Sequence, residues 1–241
     1  MIIKGGFTNF GQQIGVLMLD TRFPRAPGDI GNAVSFDFPV RYKVVHGAYF
    51  SRVVADTPDD ALVQPFIDAA RELEAEGVRA ITTSCGFLAP FQRVLAGAVG
   101  IPVFTSSLLQ APLIHRMLPP GKTIGVFTVQ KRSLNERHFS GAGWSSNEIP
   151  VFIQGLPEDA VFCRTIAEDR LEMDTEILRR EMLTMTRAFL RDCPNPGAIL
   201  LECTNMCPFS ADIAEEARLP VYDVNSLIRY NQSALVPRRY A

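Results

Sequence analysis

Cys85 and Cys203 are the residues whose type and spacing could do chemistry. Each ends a short apolar run, and Pro-Phe follows each five and six residues on, as Pro90-Phe91 and Pro208-Phe209. A second proline inside an apolar run comes 17 residues after each cysteine, at Pro102 and Pro220, so the offset is 118 throughout. Such register suggests two halves built to one plan, with two thiols facing one pocket. A cysteine between a strand end and a helix start meets free amides and the positive end of the helix dipole. Both favour the thiolate and lower a thiol pKa of roughly 8.5. The same amides can hold a substrate carboxylate. Thiols on opposite sides of one carbon could remove a proton from one face and return it on the other, a stereoinversion by general acid–base catalysis. The competing reading is structural, since free cysteine commonly packs as a small hydrophobe and duplication alone would keep both. The shared register, with Pro-Phe after each thiol, favours the reactive pair.

Other groups carry double readings. Asp20, at the end of the first apolar run, could orient a thiol or cap a loop. Arg22 and Arg25 could clamp a carboxylate bidentately or sit in solvent. Thr83, Ser84 and Thr204 could satisfy local backbone or touch a ligand. His46, on its apolar run, reads as a structural histidine. Cys203 and Cys207 have a spacing seen in zinc pairs, but no second tight pair exists and His46, His115 and His138 are scattered, so no metal is expected. The spacing is not C-x-x-C, which argues against a redox pair. Gly28 and Gly31 do not directly follow a strand and make no dinucleotide fingerprint.

The elements that must position these groups alternate between strand and helix. Gln13–Leu19 reads as a buried strand, followed by an irregular Pro/Gly-rich loop over 23–39 of the kind that is often functional. A strand over 42–48, a helix over 58–76 stopped by Gly77, and the Cys85 strand over 80–83 come next. A helix over 89–98, a strand over 101–105 and a helix over 108–117 complete the first half. Ile124-Gly125-Val126 then echoes Ile14-Gly15-Val16 at an offset of 110. In the second half the patterns predict a strand over 123–128, a helix over 133–139, a strand over 149–153 and a long helix over 172–191. The Cys203 strand, a helix over 210–218, the Pro220 strand and a tail helix from Ser226 follow. Alternation of this kind predicts an α/β protein of two similar pseudo-symmetric lobes, each a parallel sheet flanked by helices, with the site in the cleft between them. The expected division is lobe 1 over 1–107, lobe 2 over 108–220, and a segment 221–241 packing back on lobe 1. Ligands in such sheets bind beyond the carboxyl ends of the strands, where Cys85, Cys203, Asp20 and Gln130 all fall.

The chain has 241 residues, 47% of them hydrophobic and 21% charged, with a formal net charge of −2. That balance offers no electrostatic argument for nucleic acid or an acidic membrane surface. Lysine is scarce (Lys4, Lys43, Lys122 and Lys131), so a Schiff-base enzyme has few attachment points. No apolar run approaches the roughly 18 residues a membrane span needs. The N-terminus lacks a signal-peptide core, and five cysteines are an odd count. Free thiols in a reducing cytoplasm are therefore expected.

These residues resemble the aspartate/glutamate/hydantoin racemase superfamily across essentially the whole chain: two strand–Cys units, Asp20-Thr21 after the first strand, and Cys203-Thr204 in the second unit. The resemblance implies a cofactor-independent isomerase, a racemase or epimerase of an amino acid or related small carboxylate, with Cys85 and Cys203 as acid/base thiols and Asp20 as the acidic residue beside the first. It implies that Thr128 and Gln130 help hold substrate; Thr21, Arg22, Ser84, Gly86, Phe87, Thr204 and Asn205 are the other expected substrate contacts, and a homo-oligomer, dimer or higher, with no metal, is expected. Relatives of this superfamily include hydantoin racemase, maleate cis–trans isomerase and arylmalonate decarboxylase. Those last two leave open an enzyme that uses one cysteine as nucleophile or proton donor, and a non-catalytic carboxylate binder is the third alternative. The pattern also departs from the family's. Amino-acid racemases of this group carry Asn-Thr after the first cysteine, where Gly86 and Phe87 stand here, leaving backbone amides and an aromatic wall. Asn205 replaces a typical His or Glu, and the loop through Arg22 and Arg25 replaces a short Gly-rich one.

Overall fold

The computed structural model describes residue 2 and residues 4–238. The first sheet holds β1 (Ile14–Leu19), β2 (Val40–Val45), β3 (Ala80–Thr83) and β4 (Val103–Phe104), in spatial order β2-β1-β3-β4. The second holds β5 (Thr123–Thr128), β6 (Val151–Gly155), β7 (Pro196–Leu201) and β8 (Val221–Tyr222), in the order β6-β5-β7-β8. Every pairing is parallel. All of β1, and β5 from Ile124 on, is buried. That is why both read as continuous apolar runs: a parallel strand covered on both faces has no polar side.

The helices are α1 (Phe50–Val53), α2 (Val63–Ala75), α3 (Gln92–Ala96), α4 (Ala111–Met117), α5 (Glu136–Gly141), α6 (Val161–Ala167), α7 (Thr175–Asp192), α8 (Ser210–Ala217) and α9 (Val224–Leu235). Helix α2 buries Phe66, Ala69, Ala70 and Leu73, the i, i+3, i+4, i+7 stripe that lays a helix on a sheet. It packs on β1 at Gly15, where an added Cβ would lie 2.9 Å from the Leu73 side chain. Gly125 plays the same part in the second half, with the Phe189 ring of α7 at 2.5 Å from a Cβ there. The repeated Ile-Gly-Val thus marks the point where each half's main helix approaches its central strand most closely.

Several elements differ from their sequence-based ranges. Between each cysteine and its helix lies a 3-10 segment, Gly86–Phe91 or Thr204–Phe209; the first takes up the start of the helix expected over 89–98, leaving α3, whereas α8 keeps to the expected 210–218. Pro90 and Pro208 lie inside the 3-10 segments; a proline has no amide to give to an α-helical ladder, and the tighter turn tolerates it. The helix expected over 58–76 likewise opens with a 3-10 turn, Asp60–Leu62, capped by Asp59. Strand β2 ends at Val45, which leaves His46 exposed on a turn rather than within an apolar strand. Helices α1 and α6 fall where the sequence shows no periodicity long enough to read.

The chain crosses between halves twice. After β4, α4 packs on β5 of the second sheet. Strand β8 pairs with β7, and α9 then returns to lay Val224, Leu227 and Ile228 against Ile14, Val16 and Met18 of the first sheet. Among the described residues no helix is long and apolar enough to cross a membrane.

Candidate active site

The site lies where β3 and β7 end. Ser84 N–H donates to Leu17 O at 2.9 Å, and in the other half Glu202 N–H donates to Phe127 O at 2.8 Å, so each strand tip is tied to its central strand. Cys85 and Cys203 come next, each in extended conformation as the residue before its 3-10 segment. The tips are joined to each other, because Thr204 Oγ1 donates to the Ser84 carbonyl at 2.6 Å. Two thiols separated by 118 residues are thereby brought to one place.

Both cysteines line one narrow, mostly apolar cavity. Leu19, Phe23, Phe50, Phe87, Val129 and Ile166 supply apolar walls. Of the residues expected to contact substrate, Thr21, Ser84, Gly86, Phe87, Thr204 and Asn205 line the same cavity. The other three, and Asp20, expected as the acid beside the first cysteine, are not among the cavity's lining residues. The Asp20 carboxylate accepts from Gly47 N–H at 3.0 Å and lies 3.5 Å from His46 Nδ1, outside the cavity. Extended backbone alternates its side chains, so when Leu19 and Thr21 face the cavity Asp20 faces away. Arg22 is largely exposed and pairs with Asp169 at 3.5 Å. Gln130 donates to Ser133 Oγ at 2.8 Å and does not line the cavity, although Val129 does. Thr128 is fully buried and donates to Glu202 Oε2 at 2.7 Å.

Two charged residues complete the lining, Arg25 and Glu202. Arg25 donates to Asp29 Oδ1 at 2.8 Å and to Thr21 Oγ1 at 2.9 Å, and its guanidinium lies 4.4 Å from the Phe23 ring centre. Asp29 accepts in turn from Asn205 Nδ2 at 2.7 Å, and Asn205 Oδ1 lies 3.9 Å from the Cys203 sulfur. The long loop thus reaches Cys203 through Asp29 and Asn205, while its cation favours the Cys85 thiolate. Spacing does not single out Glu202; the available signal is an acid that closes the apolar run Ala198–Leu201 immediately before a cysteine.

The electrostatics run opposite to the thiolate expected from the strand–helix junctions. Burial, and then the charge of Glu202, push both Cys85 and Cys203 well above the ordinary thiol range. Hydrogen bonds from the Phe87 and Asn205 amides act the other way but are outweighed, and Arg25 also favours the Cys85 thiolate. Burial pushes the Glu202 carboxyl up to about 8, against a smaller lowering by Thr128. The resting site thus holds two neutral thiols and a neutral acid at pH 7. Cys207, four residues past Cys203, faces the core under α9 and not the cavity. Among the described residues no three His, Cys, Asp or Glu side chains converge as metal ligands.

Comparison with known proteins gives relatives of one kind. The chain is 34% identical over 217 residues to dimethylsulfoniopropionate lyase 7 of Emiliania huxleyi, covering 87% of this chain and 63% of that protein. It is 31% identical over 216 residues to a dimethylsulfoniopropionate lyase of Durusdinium sp. clade D, covering 87% of this chain and 70% of that protein. The chain belongs to the dimethylsulfoniopropionate lyase family. It spans 63% of the length of the first of these relatives. No family model matches it. Among solved structures, unliganded arylmalonate decarboxylase aligns with a TM-score of 0.59 at 16% identity, over 95% of this chain and 94% of that one. The aspartate racemase of Picrophilus torridus aligns with a TM-score of 0.58 at 14% identity, over 95% and 96%. This member of the lyase family thus has the two-lobed α/β fold of the aspartate/glutamate racemase superfamily, as its strand–Cys repeat implies.

Proposed function

We propose that this enzyme is a lyase that eliminates a leaving group from the carbon next to the α-carbon of a small carboxylate, dimethylsulfoniopropionate being the substrate the family suggests. Kinship with the dimethylsulfoniopropionate lyases across 87% of the chain carries the reading. The cavity supplies the parts. Arg25 takes the carboxylate and withdraws charge from it, which acidifies the α-carbon proton. Cys85 is the base, because of the two thiols it is the one whose anion Arg25 favours. Its thiolate takes the α-proton, the C–H pair becomes the new C=C bond, and the C–S bond breaks with its pair going to sulfur. Dimethyl sulfide leaves neutral, acrylate remains, and Cys85 ends as the resting thiol, whose proton goes to water as the next substrate binds. Cys203, held through Asn205 to Asp29 and Arg25, shapes the opposite wall.

Purified protein incubated with dimethylsulfoniopropionate should release dimethyl sulfide and acrylate in equal amounts, read by gas chromatography and by proton NMR. Absence of both products, with the protein folded, would refute the assignment.

A second reading draws on the two thiols of one cavity, which also suit racemisation or epimerisation by proton exchange across a carbon. Its signature is deuterium entering the α-carbon of an amino acid, hydantoin or dicarboxylate in D2O with no fragment released, and with loss in both C85A and C203A.

A further inference from the structure

Gly86 and Glu202 lie in different halves of the chain, yet each fixes what the other can be. A Cβ on Gly86 would fall 2.3 Å from Glu202 Oε1 and 2.4 Å from the Glu202 carbonyl oxygen. The carboxyl of Glu202 thus fills the space that a side chain following Cys85 would occupy, which is where the amino-acid racemases carry a polar side chain. Its two oxygens are unequal. Oε2 accepts from Thr128, while Oε1 is buried beside Gly86, a cavity residue, with no hydrogen-bond partner. An unpartnered buried carboxyl oxygen weakens a fold unless a ligand answers it.

The groups around this acid are Thr128 from β5, Cys85 just before the first 3-10 segment and Cys203 beside it in sequence, and Arg25, paired with Asp29, lines the same cavity from the long loop. Arg25 is the one cation among the described residues that line the cavity. The cavity therefore has a cationic pole at Arg25, an acid at Glu202, and aromatic and aliphatic walls between them. That layout suits a small zwitterion: a carboxylate on the guanidinium and an alkylated cation facing the acid, its methyl groups against Phe87 and the other apolar walls, where ring faces also favour a cation.

We propose that Glu202 is the counter-charge for an onium group, so that the cavity selects small carboxylates whose leaving group is a cation. This deepens the elimination reading and rests on it for the identity of the leaving group. A cation placed against Glu202 draws the acid, neutral in the free protein, into its ionised form, so onium binding near pH 7 releases close to one proton. Affinity for the cation should rise by about tenfold per pH unit up to the carboxyl's titration near pH 8. As the bond breaks the leaving group becomes neutral, so the contact strengthens binding of the substrate more than of the transition state.

The test uses two ligands of one shape that differ in charge, 3-(trimethylammonio)propionate and 4,4-dimethylpentanoate, with trimethylamine assayed to confirm that the first is not cleaved during the titration. Calorimetric titration of the wild type in buffers of different ionisation enthalpy should give at least tenfold tighter binding of the cation, with proton release for the cation alone. In E202Q, which keeps the shape and an acceptor for Thr128, the preference should collapse to near onefold and the proton release should vanish. Equal or absent binding of both ligands by the wild type, or an unchanged preference in E202Q, would overturn the proposal, and the wild-type proton count decides it even if E202Q does not fold. In turnover, E202Q should raise KM about tenfold while kcat holds or rises; a fall in kcat at constant KM would refute the counter-charge role. Onium preference without dimethyl sulfide release would sink the elimination reading alone, whereas dimethyl sulfide release with equal binding of the two ligands would sink this proposal alone.

Discussion

A thiol buried beside an acid is a weak base until the charge around it changes. Burial holds Cys85 as the thiol, while Arg25 and the Phe87 amide favour its anion. Removing the proposed base should therefore cost far more than removing packing volume. C85A is expected to lower kcat/KM by about 10²- to 10⁴-fold, the range for a single proton-transfer group, measured by dimethyl sulfide release. Glu202 also gives stability a pH dependence whose sign is fixed. Its carboxyl titrates near 8 in the folded chain and near 4.3 when unfolded. The folded state thus holds the extra proton between those values, and stability falls as pH rises through that window. E202Q lacks this group, so its melting temperature relative to wild type should be higher at pH 8.5 than at pH 5; equal differences at the two pH values would show that the acid is not buried as a neutral group. At this scale the cysteines were legible because they recur in register. Glu202 was not, because an acid inside LLEC declares itself only when Gly86 from the other half is seen against it. Asp20 shows the opposite difficulty: a suggestive position in sequence, but a side chain turned away by strand alternation.

Elements explain why the two halves present their cysteines alike. The Pro-Phe that follows each thiol marks a 3-10 segment, and a proline there lets the chain turn sharply off the strand without losing a ladder bond. The sequence announced the turn but not its pitch, since apolar spacing over six residues cannot separate a 3-10 from an α start. The first segment is held from outside by α5, which approaches so closely that a Cβ on Gly141 would lie 2.4 Å from the Ala89 carbonyl oxygen. G141A must then push α5 off the segment that carries Phe87. Loss of tight packing of this kind costs about 1–3 kcal/mol. The variant should lower the urea midpoint and raise KM while Cys85 itself is untouched; unchanged stability and KM would mean that α5 does not support the site. The long loop was legible as functional from its length, but the chain of contacts from Arg25 through Asp29 to Asn205 was not, because it joins residues 25 and 205.

At the scale of the molecule, the repeat in the sequence suggests two similar lobes, and the structure shows how firmly they are joined. Helices α4 and α9 each leave the half that precedes them to cover the other sheet. Ser107 Oγ donates to Leu201 O at 2.6 Å, and Thr204 Oγ1 to Ser84 O, so polar groups are satisfied across the joint as well. A cleft built this way cannot lose one wall and keep the other. The chain's one tryptophan, Trp144, reports on the joint, being buried just beyond α5 with its indole N–H on Leu108 O at 2.9 Å. Ile228 is fully buried between α9 and the first sheet. I228A should cost about 2–5 kcal/mol, the usual loss for a large aliphatic cut back in a core. If the halves unfold together, the urea midpoints from far-ultraviolet circular dichroism and from Trp144 fluorescence will move by the same amount, with an unchanged slope. If they are independent, circular dichroism alone will shift and split into two steps while the tryptophan midpoint stays in place. Coincidence of the two probes is the expected result, because the thiols can share a cavity only while both sheets stand.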